Sequence, residues 1–447
     1  MRVHSPASLE RFTVGTETFE AMSARVACAL GGSERPELQD ALLSGRVVPA
    51  GQLWRGAGID DAVLYNCFVT DRRAAEDHVD LARRITRWTA YGAGVGVALD
   101  DATEQEGQLT AAVDALGASQ QTLWEAGVSR TATMVCVGSD VAEAGTIARR
   151  LTRPELRHLN MAVRVSDAFV RQSVEHPRGD AADALLRLAE AMWSTGNPGL
   201  TFEDRIRVDH PFDEELRACN PCGEQHLAPD EGCNLASINL ATHVVDGRLD
   251  LAGVEEATEL AVRMLDRAVD QSAFPSARAQ ERAHERRRIG IGILGLATAM
   301  NAVGVSYSSS AAAHLADEIG RVLRRAAERA SAALARTHGA FPGWSPELGV
   351  PFRRHAYLLS IPPTGGVSRL WGVSPGVEAI DPLVPWERQV AIVAALQRHV
   401  DGGISKTVLL PQRSTVGDVV AVLHAAWSQG LKGISVFRLG SRPSPTS

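Results

Sequence analysis

Residues 219–240 read CNPCGEQHLAPDEGCNLASINL, and three of the chain's six cysteines, Cys219, Cys222 and Cys233, fall in its first fifteen positions. Asn220, Cys222 and Glu224 alternate, so in an extended loop an amide, a thiol and a carboxylate face the same way. Such a set suits substrate chemistry: the carboxylate takes a proton, the amide orients a hydroxyl and the sulfur reacts. Two plainer readings stay open. Cys219, Cys222, His226 and Cys233 are donors of the right softness for zinc, although Pro221 and Glu224 make an unusual knuckle. Asn-Pro and Cys-Gly also suit a purely structural turn. Cys233 opens a plausible strand, CNLASINL, and Cys67 sits in the strand-like LYNCFVTD. The two could form a redox pair if the fold brings their Cα atoms within about 7 Å.

The rest of the chain sets limits. Its 447 residues allow one large barrel or two to three ordinary domains. A hydrophobic share of 45% and a charged share of 22% suit a soluble globular protein. No apolar run approaches ~18 residues, and MRVHSPASLERF lacks a signal-peptide core, so no membrane partner and a cytoplasmic setting are expected. Six cysteines in this length do not make a secreted disulfide framework. A net charge of −7 without a basic stripe argues against nucleic acid, while a local phosphate site remains open. The basic residues are nearly all arginine. The only lysines, Lys406 and Lys432, stand in ISKTVLLP and GLKGISVFR, as though an ammonium is wanted there.

Helical patterns alternate with short β-branched runs. Leu315, Ile319, Val322, Leu323 and Ala326 mark a helix over 312–336, and a Thr415 cap with Val416 to Trp427 marks one over 415–429. Strands are expected at 131–137, 158–165, 199–204, 404–410 and 433–438, which implies α/β with a largely parallel sheet. Asn160, Thr407 and Ser435 lie within or beside these strands, so polar groups would face an interior site, favouring a barrel. Residues 75–98 read as a helix. GIGILGLA has Gly290, Gly292 and Gly295 at dinucleotide-fingerprint spacing, but the preceding AHERRR does not read as a buried strand, so close helix packing is expected instead. YGAGVGVALD (91–100) reads as a glycine-rich turn entering a strand.

Taken in order, VVPAGQLWRGAG, YNCFVTD, YGAGVGVALD, HLNMAVRVSDAFV, TGNPGLTFEDR, NPCGE, CNLASINL, RRIGIGILGLA, PTGGVSRLWGVSPGVEAI, HVDGGISKTVLLP and AWSQGLKGISVFRLGSR resemble the blocks of ribonucleotide reductase catalytic subunits, from about residue 47 to 442. The resemblance implies a ten-stranded α/β barrel, of the kind shared with glycyl radical enzymes, with a catalytic finger loop inside. It implies a helical segment over 1–46 without an ATP cone, a barrel over 47–438, and a disordered tail over 439–447 without shuttle cysteines. By position, Cys222 would become the thiyl radical that abstracts the 3′-hydrogen, Glu224 would deprotonate the 3′-hydroxyl, and Asn220 would bind substrate hydroxyls. Cys67 and Cys233 would reduce the 2′ carbon and end as a disulfide. Substrate phosphate would sit at Thr364, Gly365, Gly366, Val367 and Ser368, and Arg130 and Thr131 would belong to a specificity loop.

The resemblance also points to the radical source. None of Tyr65, Tyr91, Tyr307 and Tyr357 forms the adjacent pair of oxygen-dependent members, and VFRLGSRPSPTS has no glycyl-radical motif. The class II style of NCFV and GLKGISVFR leaves adenosylcobalamin as the expected cofactor. Expected partners are a ribonucleotide (di- or triphosphate, monophosphate not excluded), an external dithiol such as thioredoxin, and a second copy of the chain in a homodimer. Three departures stand out. The stretch between GVALD and VSRTATM is short for an effector site, PTGGVS has Gly366 where a hydroxyl is expected, and no cysteine follows Cys233. A related, non-reductive radical modification of a nucleotide sugar is therefore an alternative. A zinc-stabilised protein and a catalytically idle homologue are more distant ones.

Overall fold

A computed structural model describes residues 9–73, 76–100, 107–128, 132–139 and 144–441. Two helices come first, Phe19–Leu30, capped by the Thr18 side chain, and Arg35–Ser44, ended by Gly45 at φ 70°. Their apolar faces (Phe19, Met22, Val26, Leu30; Leu38, Leu42) join the main core. Strand β1 (Val47–Pro49) follows.

Five parallel strands then form half a barrel in chain order: β2 (Cys67–Asp71), β3 (Gly94–Ala98), β4 (Thr133–Gly138), β5 (Leu159–Val165) and β6 (Gly199–Phe202). Long connections carry the crossover helices, among them His78–Ala90, Gln108–Glu125 and Asp180–Thr195. The alternation of side chains sorts the residues by type. Val95, Val97, Val135, Val137 and Val163 pack outward beneath the helices as part of the main core. Cys67, Val69, Ala98, Met134, Cys136 and Ala162 point inward and form a separate interior cluster.

Next come the short antiparallel strands β7 (Ala218–Cys219) and β8 (His226–Leu227), whose intervening loop enters the barrel. The second half starts with β9 (Gly232–Cys233) and β10 (Leu235–Asn239), passes a hairpin, β11 (Val244–Val245) with β12 (Arg248–Leu249), and continues at β13 (Gly290–Leu294). β10 pairs parallel with β13, Ile291 bridges to Leu359, and Ile361 bridges to Ile404 at the head of β14 (Thr407–Leu410). β14 pairs parallel with β15 (Gly433–Arg438). The halves meet antiparallel on both sides, β6 with β15 and β2 with β9. Counting the β9–β10 run and the stretch Leu359–Ile361 as one stave each, the ring closes with ten, as expected of the barrel.

Two expectations need correction. The helix over 75–98 is His78–Ala90 only; Gly92, at φ 81°, breaks it and β3 follows. GIGIL is a wholly buried strand, not a site of helix packing. A Cβ on Gly290 would sit 2.5 Å from Leu235 Cδ2, and one on Gly292 2.7 Å from the Ser360 carbonyl oxygen, so Gly290 admits neighbouring side chains and Gly292 neighbouring backbone. The preceding arginines can be buried because each has an acid. Arg286 pairs with Glu214 and Glu231, Arg287 with Asp266 at 2.8 Å and Asp270 at 2.6 Å, and Arg288 with Glu231 at 3.1 Å. Among the described residues no helix is long and apolar enough to cross a membrane.

Candidate active site

The loop between β7 and β8 is a tight turn, not the extended loop that alternation suggested. Gly223 N–H donates to the Asn220 carbonyl at 2.9 Å, Asn220 N–H donates to the Gln225 carbonyl at 2.9 Å, and Gly223 takes φ 78°. Asn220 is engaged within the turn: its Nδ2 donates to Glu224 Oε1 at 2.8 Å and its Oδ1 accepts from Gln225 N–H at 3.0 Å. The amide therefore sets the carboxylate's direction.

Both half-barrels shape themselves around this finger. On β3, a Cβ at Gly96 would lie 1.9 Å from the Cys219 carbonyl oxygen, and one at Gly94 2.9 Å from Pro221 Cγ. Glycine there is a requirement for entry of the finger. From the opposite wall, Gly403 N–H donates to the Glu224 carbonyl at 2.7 Å and the Ser360 hydroxyl donates to the same oxygen at 2.8 Å. Sequence reasoning singled out none of Gly96, Ser360 and Gly403 as site residues. The glycines of YGAGVGVALD and the glycine pair in HVDGGISK were the available signals.

Cys67 and Cys233 are direct partners in the antiparallel β2–β9 register. Opposed Cα atoms in such pairs are about 4.5–5.5 Å apart, within disulfide reach. Burial pushes the Cys233 thiol well up, and its contact with Cys67 adds to that. Neither is in a disulfide. Cys222, at the finger tip, is half-buried, and with Pro363 it lines two cavities. The smaller, of about 300 Å³, is walled by Cys67, Glu224, Asn66, Ser237 and Thr364–Val367, the N-cap and first turn of the short helix Gly365–Trp371. The larger, of about 1160 Å³, is walled by β5, β6, β14 and β15 residues, including Asn160, Thr201, Lys406 and Ser435.

Thr364, Gly365, Gly366 and Val367 thus share a cavity with Cys222 and Glu224. Thr364 takes φ 53° and its hydroxyl accepts from Gly376 N–H at 2.8 Å. Ser368 is turned inward, and its hydroxyl donates to the Gly365 carbonyl at 3.4 Å. Arg130 and Thr131 lie outside the described residues. The two lysines, read as places where an ammonium is wanted, are both buried and each faces an acid. Lys406 Nζ donates to Glu378 and, at 2.7 Å, to the Thr407 carbonyl, while Lys432 Nζ reaches Asp209 at 2.5 Å and the Asp401 carbonyl. His226 is buried and neutral, pushed down to about 3 by burial and then by the charges of Lys432 and Arg288. Among the described residues no group of three or more histidine, cysteine or acidic side chains could hold a metal ion, so the zinc alternative lacks a ligand set.

The fold and the site together define a ten-stave α/β barrel closed around a thiol-bearing finger. The family model for the ribonucleotide reductase barrel domain matches residues 172–348 and 382–437, and the chain belongs to that family. It is 34% identical over 367 residues to the vitamin B12-dependent ribonucleoside-diphosphate reductase of Mycobacterium tuberculosis, covering 64% of this chain and 53% of that protein. The enzyme of the same name from Thermoplasma acidophilum is 28% identical over 319 residues, covering 56% and 41%. The chain thus spans about half the length of these relatives. In fold it is similar to the Actinobacillus ureae class Id ribonucleotide reductase alpha subunit, at TM-score 0.82 and 17% identity over 98% of this chain and 97% of that one.

Proposed function

We propose that this chain reduces the 2′-hydroxyl of ribonucleotides, with Cys222 as the sulfur that abstracts the 3′-hydrogen. One observation carries the reading: Cys222 lines both a small cavity, walled by the acid Glu224 and by Cys67, the register partner of Cys233, and a second, large cavity. A ribose C–H is too weakly acidic for a side-chain base, so its removal calls for a radical on an atom such as sulfur. In the small cavity Glu224 would take the 3′-hydroxyl proton, its direction set by Asn220. Cys67 and Cys233 would give two electrons and two hydrogens, so that the 2′ carbon gains hydrogen, the hydroxyl leaves as water and a disulfide remains. The turn Thr364–Val367 would receive substrate phosphate. Closed barrel walls keep water from the intermediate.

The large cavity suits a bulky cofactor, and the names of the sequence relatives point to vitamin B12. Adenosylcobalamin, when bound, supplies a carbon-centred radical. Asn160, Thr201, Lys406 and Ser435 would hold it against the finger's outer side. An external dithiol such as thioredoxin would return Cys67 and Cys233 to thiols, and a homodimer through the region of His78–Ala90 completes the proposal. Buried cysteines outside any disulfide fit a reducing, cytoplasmic setting.

The test is anaerobic incubation with adenosylcobalamin, dithiothreitol and ribonucleoside mono-, di- and triphosphates. Deoxynucleotide is the expected product, and Cys222→Ser is expected to lower its formation roughly 10³-fold or more. Full turnover by Cys222→Ser would overturn the assignment. A sugar product still oxidised at the 2′ position would replace reduction with a non-reductive reaction.

A further inference from the structure

Two buried thiols have no part in that chemistry. Cys136 Sγ, on β4, and Cys219 Sγ, at the end of β7, stand 3.9 Å apart, and Cys219 N–H donates to Cys136 Sγ at 3.4 Å. Both belong to the interior cluster, and neither is more than 2% exposed. Their hydrogen bond holds the Cys136 thiol below its ordinary range and, with burial, the Cys219 thiol above it. The thiols are also divided between the cavities. Cys67 lines the small one, Cys219 the large one, and Cys222 both.

We propose that Cys136 and Cys219 are a second redox dithiol, converted to a disulfide by peroxides that enter the large cavity, and that the disulfide staples the finger to β4. One sulfur of the pair, as thiolate, attacks hydrogen peroxide, the O–O bond breaks, and a sulfenic acid and one water result. The other sulfur then displaces the sulfenic oxygen as a second water and the S–S bond forms. The two electrons and two protons come from the thiols and reduce the peroxide; a small dithiol reverses the change by exchange. The geometry permits it, because closing 3.9 Å to a bond of about 2.05 Å asks each sulfur to move by about 1 Å.

Cys136 itself stands far from Cys67. Cys67 sits opposite Gly94 on β3 and Cys136 opposite Ala98, so their Cα atoms are separated by two strand spacings across and four residues along. At about 4.8 Å per strand and about 3.3 Å per residue that is roughly 16 Å, too far for direct thiol–disulfide exchange. Cys219 lines the large cavity and not the small one, so oxidation reads access to the large cavity, and it closes a loop of 83 positions on the finger's base.

The experiment treats the full chain with hydrogen peroxide, alkylates it and maps peptides without reduction. A Cys136–Cys219 cross-link is expected, lost on adding dithiothreitol, absent from Cys136→Ser and Cys219→Ala, and retained in Cys67→Ser. The thermal midpoint is expected to rise by about 5 °C or more on oxidation of the unmodified chain and not of Cys136→Ser. Cys136 and Cys219 both remaining alkylatable after unfolding, or a Cys67–Cys233 cross-link alone, would overturn the proposal. If a variant fails to fold, the map of the unsubstituted chain decides by itself. No turnover is read, so the result is independent of the role given to Cys222.

Discussion

From β2 to β6 the strands pair over four to six residues each in unbroken parallel ladders, whereas from β13 to β14 the staves touch through the single bridges Ile291–Leu359 and Ile361–Ile404. Backbone groups left unpaired by so short a ladder need other partners. Side chains supply them. The Asp401 carboxylate accepts from Leu358 and Leu359 N–H at 2.8 and 2.9 Å, and Gln397 Nε2 donates to the Val400 and Gly402 carbonyls at 3.0 and 2.9 Å. Arg324 and Arg353 keep the buried Asp401 charged, down at about 2 despite the opposing pull of burial. The regular half is a wall with room cut into it; the irregular half has groups to spare, and Ser360 and Gly403 use them to hold the finger.

The largest expected effect breaks this difference from the regular side. Gly96→Ala puts a methyl 1.9 Å from a backbone oxygen with ladders on both flanks, so finger or strand must move. Urea titration should show a loss of about 3 kcal/mol, and turnover should fall on the order of 100-fold as the thiol shifts by about 1 Å. The matching change on the irregular side, Gly403→Ala, meets the Gly223 carbonyl oxygen at 3.1 Å and asks for a few tenths of an ångström. Its expected loss is about 1 kcal/mol. Equal losses would mean that the two walls grip the finger alike.

Acid should sharpen the comparison. His226, facing Gly403, and His243, just after β10, are buried neutral, the first down at about 3 and the second at about 4, each chiefly through burial. Their folded values lie below the ordinary 6.5, so under that pH the unfolded chain binds more protons. Their contribution is complete above pH 6.5 and is lost as pH falls, to about 4 for both and to about 3 for His226 alone. The expected slope is about 1.4 kcal/mol per pH unit for each histidine. His226→Phe should remove one such slope. Hydrogen exchange near pH 5 should open the irregular half before β2 to β6.

The same contrast accounts for what the sequence shows. β4, β5, β6 and β15 lie within a few residues of the runs expected for them, because branched outward residues and turn signals mark regular ladders. The long helix reaches Ser310–His338 around its predicted apolar stripe, and Thr415 caps as read. β13 was hidden because GIGIL has glycine where a strand has side chains, and because three arginines before it are satisfied by acids up to 72 positions away. Leu359–Ile361 gives almost no strand signal, since it pairs through single bridges. Cys67, Cys222 and Glu224 were legible as chemistry and share one cavity. The amide of Asn220 was read as facing substrate, and its turning onto Glu224 depends on a tight turn that alternation could not show.

The smallest effect tests whether the second wall matters at all. Ser360→Ala removes one hydroxyl donor from the Glu224 carbonyl and leaves the Gly403 N–H on the same oxygen, so no buried acceptor is orphaned. The expected cost is about 1 kcal/mol in urea titration. Turnover should fall by less than about tenfold, since the finger keeps one anchor there and its close seat against Gly94 and Gly96. Ser360→Cys, a weaker donor of similar shape, should fall between the two. A variant indistinguishable from the parent in both measurements would show that the finger is seated by the ladder side alone, and the bond at 2.8 Å would then be a consequence of its position rather than a cause.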